Sequence, residues 1–334
     1  MKSIATQHGE VIILEKEQPY VKPNCVLVKT RYSMVSPGTE MTAIRRQAEQ
    51  PHPLGYSAAG IAVEVGEDVP VLKEGQAVAC YGAPYVNHSE YLLVPKHLIV
   101  PVPEHVELRS AASAGLGAIA IHALRQSELK FGECAVVVGL GIIGQLIARI
   151  AHAAALKVVA IDLLESRREL LQDVEGITIC KCIEEVPDAV RQATGGIGAD
   201  AVLHCAAGRQ MELFDSSFDW LRDRGTVVIV GDMTVEYTRA KMFGKEARVL
   251  ISRAGGPGRY DQQYEQDCVD YPVGYVRWTE GRNIGEYIRL LSERRIEVES
   301  LLSKQVPLSR AHELYADYAN EPQNILGALI AYEA

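Results

Sequence analysis

The sequence predicts an α/β protein in which a β-rich domain accompanies a doubly wound parallel sheet. Short apolar strands separated by Pro and Gly fill its first part, an alanine-rich helical stretch starts near Ser110, and strands alternate with helices from Cys134 onward. A length of 334 residues suits two domains. We predict one domain of residues 1–117, completed by about 290–334, and a second of residues 118–289.

The first part of the chain contains apolar segments of strand length. Examples are 26–30, 59–65 and 91–94, each bounded by turn-forming residues. Their spacing predicts a small, irregular, barrel-like domain. The alanine-rich stretch that follows predicts a helix reaching about Leu124.

The middle of the chain alternates strand and helix patterns, which favours a parallel sheet covered on both faces. The candidate strands are 135–138, 158–161, 201–204, 226–230 and 249–252, and a helix is predicted over 145–156. Beyond Thr279 the pattern predicts two amphipathic helices, 284–291 and 309–318, and a last strand, 326–332.

Composition excludes several classes of partner. The net charge is -9 with no basic block, which argues against nucleic acid. No apolar run approaches the roughly 18 residues of a membrane span. The seven cysteines are scattered without a CxxC pair, which predicts a reduced, cytoplasmic protein without a disulfide framework.

A glycine motif follows the first strand of the middle part. Its glycines permit a tight turn, close backbone approach to a pyrophosphate and close packing of helix on strand, and the helix N-terminus stabilises negative charge. The motif predicts a dinucleotide-binding loop. Its cofactor-binding residues are Gly139, Gly141, Ile142, Ile143 and Gly144.

Asp162 ends the next predicted strand, about twenty residues further on, where a carboxylate accepts the ribose hydroxyls. Because it repels a 2′-phosphate, it favours NAD(H) over NADP(H). Arg167 and Arg168 leave the alternative open, since arginine can hold that phosphate. Arg167 is therefore included among the cofactor-binding residues. Three further cofactor-binding residues are predicted later in the same domain: Cys205, Gly231 and Ser252.

The order of these motifs resembles the medium-chain dehydrogenase/reductase superfamily, the zinc alcohol dehydrogenase-like proteins. The resemblance covers nearly the whole chain and is carried by segments 54–69, 89–95, 198–204 and 221–231. It implies a GroES-like catalytic domain, a Rossmann NAD-binding domain and a return to the first domain. It also implies a homodimer formed through the sheet edge near 249–252.

The zinc ligands of that family do not carry over. Pro37 stands where a cysteine is expected, Tyr56 replaces a histidine, and the third ligand falls near Ala114. Zinc needs thiolate, imidazole or carboxylate donors. Only Cys80 lies near the place of the structural-zinc cysteines. We therefore expect no metal of either kind.

Two zinc-less subgroups are more similar. Residues 36–40 with Gly55 and Tyr56 resemble bacteriochlorophyllide a dehydrogenases. Residues 256–261 and 271–280 resemble dehydrogenases often fused to Gfo/Idh-type oxidoreductases and associated with sugar or secondary-metabolite pathways. The second match is longer and implies a polyhydroxylated or amino-sugar-like substrate.

Without zinc, a side chain has to give or take the proton of the reacting hydroxyl. Tyr56 is the first candidate because it occupies a lost ligand position, although it could simply fill that space. Thr39 matches the proton-relay hydroxyl of the family, with a turn-capping role as the alternative. Glu40 and His88 are further catalytic candidates, each with a structural role as the alternative.

The segment 255–280 is rich in aromatic residues and arginines on an irregular backbone, as in many binding loops. Arg259, Tyr260 and Arg277 are its predicted substrate-binding residues, by stacking and bidentate hydrogen bonds. The alternative is a packed dimer or interdomain contact.

The resemblance implies an NAD-dependent oxidoreductase acting on a secondary alcohol or ketone of a sugar, cyclitol or other secondary-metabolite intermediate. One alternative is a quinone- or enoyl-type double-bond reductase. Those enzymes generally prefer NADPH, so Asp162 argues against them. The other alternative is a non-catalytic NAD-binding protein.

Overall fold

The computed structural model describes residues 1–209 and 211–333. The chain divides into two compact units, Met1–Ala118 with Gly255–Ala334, and Ile119–Ala254. The fold is mixed α/β and combines a β-rich unit with a unit built on a parallel sheet, as the sequence predicts. No helix among the described residues is long and apolar enough to cross a membrane.

The chain begins with eight strands and three helices. These are β1 (Lys2–Gln7), β2 (Glu10–Glu15), β3 (Cys25–Val35), α1 (Pro37–Arg45), β4 (His52–Pro53), β5 (Ser57–Val65), β6 (Ala77–Tyr81), β7 (Tyr91–Pro95), β8 (Ile99–Pro101), α2 (Leu108–Ala111) and α3 (Ala114–Gln126). The predicted strands 26–30, 59–65 and 91–94 lie within β3, β5 and β7.

The second unit alternates strands and helices. Its elements are β9 (Cys134–Val138), α4 (Ile142–Ala153), β10 (Lys157–Ile161), α5 (Glu165–Glu169), β11 (Ile177–Cys180), α6 (Val186–Thr194), β12 (Ala199–His204), β13 (Gly208–Arg209), α7 (Met211–Trp220), β14 (Leu221–Ile229), β15 (Met233–Thr234), α8 (Arg239–Lys245) and β16 (Arg248–Ile251). Six strands form a parallel sheet in the order β11-β10-β9-β12-β14-β16. Every residue of β9 is buried, as expected for a strand covered on both faces.

The chain then returns to the first unit. Its last elements are α9 (Gln262–Glu265), α10 (Glu280–Ser292), β17 (Leu302–Pro307), α11 (Ala311–Asn320) and β18 (Gly327–Ala331). They complete a seven-stranded sheet in the order β17-β18-β3-β5-β6-β8, with β7 also paired to β3. β1 pairs with β2 and β4 in a separate three-stranded sheet.

Residues 255–289 differ from the predicted boundary, because the structure assigns them to the first unit. Within that unit α10 packs on β6 and β8 through buried residues such as Ile284 and Tyr287. The predicted helix 145–156 also begins earlier, at Ile142, because Gly141 serves as its N-cap. β11 and β17 were not predicted: they are short and only partly buried, so their apolar pattern is weak.

Candidate functional site

The glycine loop joins β9 to α4 and leaves the N-terminus of that helix open. Gly139 has φ +88, a conformation that other residues rarely adopt. A Cβ on Gly144 would lie 1.8 Å from the carbonyl oxygen of Gly139, so helix and turn approach as closely as the backbone allows. Gly141 caps the helix without a side-chain hydrogen bond, and no atom lies within 4 Å of where its Cβ would stand. Open amides at a helix N-terminus suit a pyrophosphate.

Asp162 is buried and ties the end of β10 to the glycine loop. Its Oδ2 accepts a hydrogen bond from the amide of Leu140 at 2.7 Å, and Oδ1 accepts one from the amide of Leu164 at 2.8 Å. Arg167 lies 3.5 Å from the same carboxylate. Arg168 donates to the backbone carbonyls of residues 162 and 163. Both arginines thus have partners within this unit.

The other predicted cofactor-binding residues follow the carboxyl ends of neighbouring parallel strands, where ligands bind in such sheets. Cys205 follows β12, and burial raises the pKa of its thiol to about 12. Gly231 lies just beyond β14, and a Cβ there would lie 2.1 Å from a backbone oxygen. Ser252 follows β16, and its buried hydroxyl has no hydrogen-bond partner among the described residues. The loop, Asp162 and this orphaned hydroxyl together fit a nicotinamide dinucleotide.

A second cluster, in the first unit, is centred on Tyr56. Its phenol donates a 2.6 Å hydrogen bond to the Oγ of Ser36, the N-cap residue of α1. Burial raises the pKa of Tyr56 to about 12, partly offset by the hydroxyls of Ser36 and Thr39. The phenol is therefore neutral at physiological pH and able to donate a proton.

Glu40 and His88 form a fully buried network beside this phenol. His88 Nε2 lies 2.9 Å from Glu40, and its Nδ1 hydrogen-bonds Ser33 at 2.7 Å. Glu40 also accepts hydrogen bonds from the amide of Ser36 and the phenol of Tyr315. Because the Glu40 and His88 side chains are at most 2% exposed, neither contacts solvent. Glu40 instead fixes Ser36, the partner of Tyr56.

The three positions at which the resemblance expects zinc ligands lie close to one another. Ser36, next to Pro37, bonds Tyr56, and the hydroxyl of Ser57 bonds the Ala112 carbonyl and the amide that follows Ala114. No three His, Cys, Asp or Glu side chains are placed to hold a metal within 1–209 and 211–333. Proline, tyrosine and alanine do not fit a zinc ion.

The three predicted substrate-binding residues have different surroundings in the structure. The Arg259 guanidinium is buried, pairs with Glu265 and donates to the Ala83 carbonyl at 2.7 Å. Tyr260 is 60% exposed, and its phenol lies near enough to Tyr56 to raise the pKa of that residue. The Arg277 guanidinium stacks on the Trp278 ring at 4.0 Å, and its backbone carbonyl accepts from Arg282 at 3.4 Å.

Two residues that the sequence analysis missed complete this cluster. The ring of Tyr81 packs edge-to-face on Tyr56, with centroids 5.7 Å apart. Glu280 is buried, and its carboxyl group lies near that of Glu265, with which it shares a hydrogen bond when it is protonated. Burial, together with the charge of Glu265 and against that of Arg259, raises the pKa of Glu280 to about 9. The Thr279-Glu280 pair signals a helix start, but no local pattern shows that the carboxyl is buried.

We expect Glu280→Gln to stabilise the protein increasingly as the pH rises. The pKa of this carboxyl is 4.5 ordinarily and about 9 in the folded protein. Its contribution to folding stability is therefore complete below pH 4.5 and is lost as the pH rises to about 9. Glutamine avoids this loss. Relative to wild type, the Tm should be nearly unchanged at pH 4.5 and higher at pH 9, by about 2–4 °C for each kcal/mol of stability that the wild type loses.

The control is Glu293→Gln, at the half-exposed end of the same helix, which should shift the Tm equally at both pH values. A difference between Glu280→Gln and wild type that does not change with pH would mean that Glu280 is ionised in the folded protein.

Comparisons with known proteins agree with both units. Residues 22–104 match the alcohol dehydrogenase GroES-like domain and residues 142–268 the zinc-binding dehydrogenase domain. L-galactonate-5-dehydrogenase of Escherichia coli (strain K12) is 27% identical, covering 98% of this chain and 97% of that protein. D-xylulose reductase of Saccharomyces cerevisiae is 24% identical, covering 84% and 82%.

The fold also matches solved structures. Galactitol-1-phosphate dehydrogenase from Escherichia coli superposes with a TM-score of 0.81 at 19% identity, covering 99% of this chain and 100% of that one. The two domain matches occur in the order in which the two units follow each other along the chain. The chain belongs to the medium-chain dehydrogenase/reductase superfamily.

Proposed function

We propose that this protein is a zinc-independent, NAD(H)-dependent oxidoreductase that transfers a hydride between nicotinamide and a secondary alcohol or ketone of a sugar, cyclitol or similar metabolite. The observation that carries the proposal is the Tyr56 phenol, neutral and hydrogen-bonded to Ser36, at a position where the family has a zinc ligand. The bound nicotinamide supplies the hydride chemistry. The side chains of this protein then have to handle the proton.

Tyr56 gives its proton to the substrate oxygen during ketone reduction and takes it back during alcohol oxidation. A proton donor has to be protonated at neutral pH, as a phenol with a pKa of about 12 is. The Ser36 hydroxyl, 2.6 Å away, orients the phenol through the hydrogen bond it accepts. Thr39, in the first turn of α1, holds the substrate oxygen, while Glu40 and His88 are positioning residues acting through Ser36.

The cofactor preference follows from Asp162. Its carboxylate stands where the second ribose hydroxyl binds in this fold, and its charge opposes a 2′-phosphate. Arg167 pairs with that carboxylate, and Arg168 donates to backbone carbonyls. Both guanidinium groups are therefore already engaged, which disfavours binding of a 2′-phosphate. We therefore propose NAD(H) as the preferred cofactor and NADP(H) as the weaker one.

Assembly and location belong to the same proposal. β16 ends the parallel sheet, and Ile251 on it is 68% exposed. An exposed strand edge invites pairing with another strand. We propose a homodimer formed through this edge, acting in the cytoplasm, where the seven free cysteines stay reduced.

The test is turnover by chelator-treated protein on a panel of ketoses, cyclitol ketones and their alcohols. We expect activity with NAD(H), zinc far below one ion per chain, and tighter binding of NADH than of NADPH by calorimetry. Asp162→Ala should narrow the gap between the nucleotides. Stoichiometric zinc that is lost together with activity would disprove zinc independence. Cofactor binding without turnover on any compound would favour a non-catalytic role.

A further inference from the structure

The loop that follows Ala254 is fixed by buried hydrogen bonds within the first unit. The amide of Gly255 donates to the phenol of Tyr81 at 3.0 Å, and its carbonyl accepts from the Asn283 side chain at 2.8 Å. Two residues further on, the Pro257 carbonyl accepts from the amide of Glu280 at 2.8 Å. Strands and helix α10 therefore hold this loop in one conformation.

A buried ion pair anchors the next part of the loop. Arg259 pairs with Glu265 and also donates to the Ala83 carbonyl, and both charged side chains are at most 8% exposed. Glu265 accepts a second hydrogen bond from the amide of Tyr260 at 3.0 Å. Burying two charges is costly unless further hydrogen bonds satisfy them, as these do. Because both terminal nitrogens of Arg259 are engaged, the guanidinium is not available for an anionic ligand.

These contacts hold one side chain outward. Tyr260 adopts φ +66, a strained conformation for a residue with a side chain, and such strain is concentrated at functional sites. The guanidinium of Arg259 lies 4.1 Å from the centre of its ring, yet the side chain is 60% exposed. The ring also lies near the proposed proton donor: its partner Arg259 donates to the Ala83 carbonyl, and the amide of the adjacent Gly82 donates to the Tyr56 carbonyl at 2.9 Å.

The buried charges beside this ring are paired. Arg259 and Glu265 neutralise each other, and burial raises the pKa of Glu280 to about 9. A ligand here meets an exposed aromatic ring with a hydroxyl group beside a neutral ion pair. Aromatic rings stack well on the flat C–H face of a sugar or cyclitol ring, which is already rigid and loses little entropy on binding.

We propose that Tyr260 determines specificity: its exposed ring stacks on a cyclic, uncharged, polyhydroxylated substrate whose reacting oxygen meets Tyr56. This inference rests on the proposed function and names the substrate class of that site. Open-chain polyols present no such face and lose more conformational entropy when they bind. An anionic sugar does not find the Arg259 guanidinium available, because Glu265 and the Ala83 carbonyl engage it.

The test compares wild type with Tyr260→Ala and Tyr260→Phe. The probes are myo-inositol and methyl glucopyranoside as rings, sorbitol as an open chain and glucose 6-phosphate as an anion, each with NAD⁺. Wild type should favour the neutral rings. Tyr260→Ala should raise their KM about tenfold, the effect of roughly 1.4 kcal/mol of lost stacking, and change the sorbitol KM little. Tyr260→Phe keeps the ring and should stay within about threefold of wild type.

Tyr275→Ala is the matched control, because Tyr275 lies in the same segment, is 92% exposed and should leave every KM unchanged. Equal losses on all probes in Tyr260→Ala, or a wild-type preference for sorbitol or the phosphate, would overturn the inference. Saturation-transfer NMR with methyl glucopyranoside separates the two proposals. Binding that Tyr260→Ala abolishes, without turnover on any probe, would support the stacking role and disprove the enzymatic one.

Discussion

Tyr56→Phe is expected to lower kcat for ketone reduction by about 100- to 10,000-fold, the usual contribution of a positioned proton donor. Phenylalanine keeps the ring and its edge-to-face packing on Tyr81, so the fold should be preserved. The variant loses only the hydroxyl that donates to Ser36 at 2.6 Å. Affinity for NADH and the Tm should therefore stay close to wild type, and single-turnover kinetics would place the loss in the chemical step.

The control for this variant is Tyr318→Phe. Tyr318 is also buried in the first unit, and its hydroxyl has no hydrogen-bond partner among the described residues. Removing that hydroxyl should leave kcat unchanged. If Tyr56→Phe proves equally active, Tyr56 merely fills the space that zinc occupies in relatives, and another group carries the proton.

The cofactor loop could be predicted because its determinants are local. Gly139, Gly141 and Gly144 lie within six residues. A tight turn requires Gly139, a close approach to the Gly139 carbonyl requires Gly144, and Gly141 leaves the N-terminus of α4 open. Asp162 follows at the end of the next strand, so its contact with the loop amide is set by strand pairing of β9 with β10.

The proton-handling cluster could be predicted only in part. Tyr56 and Thr39 were identified through a family motif. The role of Ser36 is visible only in the structure, where its hydroxyl accepts a hydrogen bond from the Tyr56 phenol. Glu40 contacts Tyr315, which is 275 residues away, and no periodicity in the sequence encodes that pairing. Residue type alone therefore left both a catalytic and a structural role open for Glu40 and His88, and in the structure both are buried and bonded to neighbouring protein groups.

The loop 255–280 shows the same limit. An arginine in an aromatic, turn-rich segment predicts anion recognition equally whether its guanidinium points outward or inward. Here the Arg259 guanidinium is buried because it pairs with Glu265, only six residues along the chain. The adjacent Tyr260 side chain is exposed to solvent. Which of two adjacent residues faces solvent depended on a left-handed backbone conformation that the sequence does not reveal outside glycine.

Replacing Gly144 or Gly141 by alanine is expected to impair the protein in two different ways. This pair of variants tests the cofactor site most directly. In Gly144→Ala the new Cβ would stand 1.8 Å from the Gly139 carbonyl oxygen, a distance that requires the backbone to move. The Tm should fall by several degrees, since backbone strain costs about 1–3 kcal/mol, and NADH binding should be lost with it.

Gly141→Ala should instead fold normally and still bind NADH poorly. Gly141 has φ -63, which alanine adopts freely, and apart from its chain neighbours no atom of the described residues 1–209 and 211–333 lies within 4 Å of its Cβ position. The added methyl group would occupy the space through which the pyrophosphate approaches the uncapped N-terminus of α4, so affinity should drop by at least about tenfold, or 1.4 kcal/mol. Gly244→Ala is the control, since its Cβ also meets nothing within 4 Å and it lies in α8, away from the loop. Wild-type calorimetric affinity of Gly141→Ala for NADH would show that the dinucleotide does not bind across this turn.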